Sequence, residues 1–234
     1  MILPGATLGV LGGGQLGRLF TLAARALGYR VLVLDPDPAS PAGSVADLHL
    51  RADYQDPQAL ARLGAECAAI TTEWENVPAS TLEALAAHCP VRPGAEAVTV
   101  ARDRIREKTF VRDLGLATAP FFAIHTAADL AAAVADLRLP ALLKTATLGY
   151  DGKGQVGVQD LEQARAGFAQ LGGRPCVLEE KVALAQELSV ILARGSDGET
   201  AFYPISENVH RNGILHTTRV PGQVSAAVAD HALG

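Results

Sequence analysis

The chain has 234 residues, 49% of them hydrophobic, with a net charge of −5 and a pI near 5.7. That length holds one large domain or two smaller ones and that composition buries a sizeable core, while the acidic balance excludes a general nucleic-acid binder. No apolar run approaches the ~20 residues that cross a bilayer, so no membrane span is expected.

The N-terminal "MILPGATLGVLGGG" has neither the basic region nor the cleavage pattern of a signal peptide. Residues 7–12, "TLGVLG", read as a buried strand, and residues 14–28 carry Leu16, Leu19, Phe20, Ala23 and Leu27 at helical spacing. "YRVLVLDP" is a second strand, so strand, glycine turn, helix and strand predict a right-handed βαβ unit in a parallel sheet. A helix over 56–67 and a strand opening "AAITTEW" follow. A helix over 78–89, capped by Pro78 and Ser80, leads to "PVRPG", which closes an open α/β domain near residue 95. Cys67, Cys89 and Cys176 share no ligand spacing. They read as reduced, buried or half-buried thiols of a cytoplasmic protein.

The pattern then changes. Residues 97–115 read as one long helix ending at Gly115, "LATAPFFAIH" as extended chain, and residues 126–138 as a helix with Thr126 at its N-cap. Strand "PALLKTA", a glycine loop, strand "QVGVQ", a helix over 160–172 and strand "PCVLEEKV" follow. Residues 186–222 read as antiparallel strands turned at Asp197-Gly198 and Asn212-Gly213. "SAAVADHALG" begins a helix, and a domain that stops there is expected to be incomplete.

Two glycine segments invite different chemistry. Gly12-x-Gly14-x-x-Gly17, with Asp35 at the end of the next strand, has the layout of a dinucleotide fingerprint. Asp35 serves equally well as a cap of the "DPDP" turn. The second segment, "GYDGKGQ", lies between two strands and is longer than a reversal of the chain requires. Such a loop can fold over a polyphosphate and offer backbone N–H donors. Only four lysines occur, Lys108, Lys144, Lys153 and Lys181, and two of them flank this loop, where they can meet phosphate oxygens. "LEEKV" offers backbone groups to a purine edge, and Glu187 a carboxylate to a ribose. Trp74 and Glu75 read as packing and surface, Lys108 as a solvated helix charge, and His216 as an ordinary hairpin residue.

"ARDRIREK", "LLKTA", "GYDGKGQ", "VLEEKV" and "QELSVI" resemble, in order and spacing, the ATP-grasp enzymes. "LGGGQLGRL", "TTEWENV", "GYDGKGQ" and "PISENVHRNGILHTTRVPG" together resemble the N5-carboxyaminoimidazole ribonucleotide synthetases of purine biosynthesis, a branch of that family. Formate-dependent glycinamide ribonucleotide transformylase is the nearby alternative. It typically has serines where this chain has Tyr150-Asp151, and a different acidic segment at "TEWENV". An NAD(P)-binding oxidoreductase, built on the first glycine turn alone, is the more distant alternative.

The resemblance implies an α/β protein: a Rossmann-like, pre-ATP-grasp parallel sheet over 1–98, then an ATP-grasp α+β region over 99–234, with a central small domain at about 115–183 and the start of a C-terminal domain. It implies a ligase that carboxylates 5-aminoimidazole ribonucleotide with bicarbonate and ATP. By resemblance Arg104 and Lys144 meet the ATP phosphates, and Gly149, Tyr150, Asp151, Gly152, Lys153, Gly154 and Gln155 form the covering loop. Glu179, Glu180, Lys181 and Val182 hold the adenine, Glu187 the ribose, and His210 lies near the nucleotide. Gln15, Leu16 and Glu73 face the acceptor, with Tyr150 and Asp151 approaching it. Magnesium is implied, with its ligands expected beyond residue 234 and none within the chain, and a homodimer is expected. No single catalytic residue is assigned, and the isolated chain is expected to bind nucleotide weakly and not to cleave ATP.

Overall fold

The structure, a computed structural model, describes residues 1–149, 154–211 and 213–233. It divides into two compact units, Met1–Ala117 and Thr118–Gly234. Packing therefore places the segment 99–117 with the first unit, whereas the expected division at 98/99 follows family resemblance.

The first unit runs β1 (Thr7–Leu11), α1 (Gln15–Ala26), β2 (Arg30–Leu34), β3 (Leu48–Leu50), α2 (Pro57–Glu66), β4 (Ala69–Thr72), α3 (Ala79–Ala86), α4 (Ala95–Ala101) and α5 (Arg104–Asp113). Its sheet is parallel throughout, in the order β3-β2-β1-β4. Parallel strands are covered on both faces and so read as continuous apolar runs. Here Leu11 and Leu34 pack with Leu63, Leu82 and Leu85, while Val10, Val31 and Val33 pack with Ala24 in a separate cluster.

Two local expectations are corrected and one strand is added. The single helix over 97–115 is two helices, because Asp103 leaves the helical region (φ −123°, ψ 110°) and its carboxylate accepts from the Ile105 and Arg106 amides. Ser80 lies inside α3 and does not cap it. Its hydroxyl instead accepts from Gln55 Nε2 at 3.3 Å, and Pro78 occupies the N-cap position without a side-chain bond. Strand β3 was not expected: three residues, all half-buried, give too short an alternation to stand out.

The second unit runs β5 (Phe121–Ile124), α6 (Ala127–Asp136), β6 (Ala141–Thr145), β7 (Gln155–Val158), α7 (Leu161–Gln170) and β8 (Cys176–Glu180). These strands form an antiparallel sheet in the order β5-β8-β6-β7. Ala141 and Leu143 of β6 and Cys176 and Leu178 of β8 pack with Leu130 and Ala133 of α6 and Ala164 and Phe168 of α7. Thr126 does cap α6, reciprocated by Asp129 in a capping box. The chain continues through β9 (Glu187–Ser189), β10 (Leu192–Arg194), β11 (Thr200–Phe202), β12 (Ser206–Arg211), β13 (Ile214–Arg219) and α8 (Ala226–Leu233). As expected, these strands pair antiparallel, β12 between β9 and β13, and β10 with β11.

The three cysteines are free. Burial pushes the Cys67 thiol up to about 12 and the Cys176 thiol to about 11, so both stay protonated and behave as core side chains. No helix among the described residues is long and apolar enough to cross a membrane.

Candidate functional site

The glycine turn of the first unit is held by carboxylates. Gly12 sits at φ +96°, a left-handed conformation that favours glycine, and Gly14 is the N-cap of α1. The Gly13 N–H donates to Asp35 Oδ2 at 2.7 Å, and the Gly14 N–H donates to Glu73 Oε1 at 2.8 Å. In a dinucleotide site these amides face a pyrophosphate. Here the protein supplies its own anions. Asp35 is expected in such a site to hold a ribose, but it also takes the Tyr54 hydroxyl (2.9 Å) and the Asp37 amide (2.8 Å). The geometry therefore favours the turn-capping reading of Asp35 over the dinucleotide one.

A cavity of about 400 Å³ opens beside this turn, lined by Asp35, Asp37, Ser40, Tyr54, Glu73 and Trp74 among others. Burial, and then the hydrogen bond to Asp35, push the Tyr54 phenol well above its ordinary range, so it remains a donor. The Tyr54 and Trp74 rings lie 5.7 Å apart at 46°. Gln15 and Leu16 are exposed at the start of α1, and Glu73 is half-buried next to the turn. The structure thus brings the expected acceptor-facing residues of this unit to one place. Tyr54 and Ser40 went unnoticed in the sequence, because their partners are distant along the chain and no local spacing signals them. Trp74, read as packing and surface, packs against Tyr54 and also lines the cavity.

In the second unit the pleat of β6 sends Leu143 to the helix-covered core and Lys144 to the other face. Lys144 stands opposite Val177 of β8, and Glu179 is its diagonal neighbour on that face. Their side chains form an ion pair with little exposure, 21% for Lys144 and 9% for Glu179. Lys144 also stands opposite Gln155, the first residue of β7, so the strands on either side of the glycine loop meet at this lysine. Thr145 N–H donates to Gly154 O at 2.9 Å, and Gly154 sits at φ +74°. Tyr150, Asp151, Gly152 and Lys153 lie outside the described residues.

Past Glu179, the amides of Glu180 and Lys181 donate to the carbonyls of Pro120 and Pro140, which fixes the backbone leading to the half-exposed Val182. Glu180 Oε1 accepts from the Arg138 amide at 3.2 Å. On β9 and β12, Glu187 Oε2 lies 3.2 Å from His210 Nδ1, so these two expected nucleotide contacts are neighbours. Arg104 opens α5 and belongs to the first unit. Among the described residues no group of three or more His, Cys, Asp or Glu is placed to hold a metal.

A parallel α/β unit with a carboxylate-closed turn, followed by an antiparallel unit with a lysine beside a glycine loop, defines the class of this protein. A ribonucleotide synthetase preATP-grasp domain profile matches residues 5–102, and the ATP-grasp domain profile matches residues 109–233, more than half of the sequence. The chain belongs to the ATP-grasp family. An N5-carboxyaminoimidazole ribonucleotide synthase of Pseudomonas aeruginosa is 45% identical over 226 residues, 97% of this chain and 61% of the relative. The ADP complex of an N5-carboxyaminoimidazole ribonucleotide synthetase matches with a TM-score of 0.93 at 37% identity, over 100% of this chain and 62% of that one. The Aspergillus clavatus synthase, in complex with ADP and 5-aminoimidazole ribonucleotide, gives 0.85 at 29% identity, over 97% and 60%. The chain spans about three fifths of the length of such relatives.

Proposed function

We propose that this chain serves the ATP-dependent carboxylation of 5-aminoimidazole ribonucleotide with bicarbonate. The observation that carries the reading is the match, over 97% of the chain, to a solved synthase holding ADP and 5-aminoimidazole ribonucleotide. In this reaction bicarbonate takes the γ-phosphoryl group of ATP to give carboxyphosphate. The exocyclic amine of the acceptor then attacks the carboxyl carbon, and phosphate leaves. The protein's share is largely electrostatic, countering phosphate charge and keeping water from the mixed anhydride.

Within that scheme Lys144 meets ATP phosphates from the second unit, held ready by Glu179, and Arg104 keeps the phosphate role that resemblance gives it. Residues 149–155 cover the nucleotide, residues 179–182 hold the adenine, and Glu187, with His210 beside it, holds the ribose. Gln15, Leu16 and Glu73 face the acceptor, with Tyr150 and Asp151. The division of labour at 98/99, a cytoplasmic location and a homodimer complete the reading. Magnesium is not assigned to any residue of this sequence.

Thermal melting of the 234-residue chain tests the reading. ATP analogues should raise the melting temperature and NAD should not, and stabilisation by NAD alone would overturn it. Binding of 5-aminoimidazole ribonucleotide should exceed that of glycinamide ribonucleotide, and equal binding would defeat the choice of acceptor.

A further inference from the structure

Around Gly13, both backbone polar groups of one residue are gripped by the segment 35–42. Its N–H goes to Asp35 Oδ2, and its carbonyl accepts from Ser40 Oγ at 2.9 Å and from the Ala42 amide at 2.8 Å. A Cβ on Gly13 would fall 1.9 Å from Ser40 Oγ and 2.9 Å from Asp35 Cβ, so the backbone lies directly on these two side chains. Ser40 is 2% exposed. The next amide, Gly14, is the one that holds Glu73. Gly13 and Gly14 therefore link Asp35 mechanically to Glu73. Two charge-assisted bonds to successive amides fix both carboxylates and the start of α1 at once.

We propose that Asp35, braced by Tyr54, is a positioning residue: it sets the Gly13–Gly14 turn and, through it, the Glu73 carboxylate that meets the acceptor. This rests on the reading of the first unit as the acceptor side. Asp35 Oδ2 is shared between the Gly13 amide and the Tyr54 hydroxyl, while Oδ1 takes the Asp37 amide. The carboxylate is thereby locked in one orientation, with Tyr54 itself seated by the Thr81 hydroxyl, which donates to the Tyr54 carbonyl at 2.9 Å. Among the described residues Glu73 has no side-chain partner of this kind. Its carboxylate accepts from the Gly14 amide, so the turn is what aims it.

The test uses Asp35→Asn and Tyr54→Phe in the 234-residue chain, with calorimetric titration of 5-aminoimidazole ribonucleotide and, separately, of ADP. Amide exchange at Gly13 is followed by NMR. Asp35→Asn should speed Gly13 exchange and weaken acceptor binding about tenfold, the size of one weakened charge-assisted bond. Tyr54→Phe should weaken it about threefold while keeping the ring against Trp74. ADP affinity should not move in either variant, which a general loosening of the structure would not allow. Acceptor affinity unchanged in both variants, or ADP affinity falling in parallel, would overturn the role of Asp35 alone. Failure of the unmodified chain to bind the acceptor at all would overturn the reading of the first unit, and this proposal with it. If Asp35→Asn does not fold, Tyr54→Phe decides the question on the same measurements.

Discussion

The two glycine segments of this molecule are alike in composition and opposite in charge. In the first unit the turn at residues 12–17 has two of its amides closed by Asp35 and Glu73. In the second, the strand that enters the glycine loop carries Lys144, with Glu179 as its counter-ion on the same sheet face. Glycine supplies only close backbone approach. The side chains that grip the backbone decide whether an anion is welcome. A glycine fingerprint read without its charged neighbours thus points to a dinucleotide, and the neighbours point elsewhere.

The largest break in this comparison is predicted for Lys144→Met. Lys144→Met takes a counter-ion away from the poorly exposed Glu179 carboxylate, and breaking a pair of this kind costs about 3–5 kcal/mol. The structure thus raises the folding cost of this substitution above what a surface lysine would carry. Lys144→Met with Glu179→Leu should recover most of that stability but not nucleotide binding, which should stay weaker by about ten- to a hundredfold for a lost charge-assisted contact. Denaturant melts and ADP titrations of both variants separate the two effects. Full recovery of ADP affinity in the double variant would show that Lys144 serves the fold and not the ligand.

A smaller effect is predicted on the other side of the comparison. Gly13→Ala must displace Ser40 Oγ, which would stand 1.9 Å from the new methyl. Overpacking of this kind costs about 1–3 kcal/mol. Melting should show the loss, Ser40→Gly should return part of it, and ADP binding should be unaffected. A fall in ADP affinity equal to that from Lys144→Met would erase the distinction between the two segments.

Much of this arrangement was legible in the sequence, and the reasons are local. The βαβ start, the strands around the loop and the Thr126 cap all rest on spacing within a few residues. The break at Asp103 was hidden because helical periodicity continues through it, and only the capping carboxylate shows why the chain turns. Strand β3 is too short to carry a period. Partners distant in sequence were harder still. Tyr54 lies 19 residues from Asp35, and Glu179 lies 35 from Lys144. The one sequence signal for the second pair was an acid inside an apolar strand, "CVLEE", whose position opposite β6 required the register to be known.

The smallest effect is a pH dependence far from either glycine segment, and it serves as a control on both. Asp129 accepts from the His125 amide at 3.0 Å and the Thr126 amide at 2.8 Å, and these bonds hold its carboxyl below the ordinary value of 3.8. Because the folded value is the lower one, its stabilising contribution is fully present above 3.8 and is lost as the pH falls through the folded value. Melting temperature followed from pH 5 to about 2 should fall less steeply for Asp129→Asn than for the unmodified chain. Parallel curves would remove Asp129 from the acid response, and ADP and acceptor binding at neutral pH should be the same in both proteins.

The contrast between the two glycine segments is tested most directly by titrating the isotopically labelled 234-residue chain with ADP and following backbone amides by NMR. The account predicts shifts at Lys144, Thr145, Gly154 and Gln155, with Gly13 and Gly14 unmoved because carboxylates already hold their amides. Shifts concentrated at Gly13 and Gly14, with the strands around the second loop silent, would contradict it.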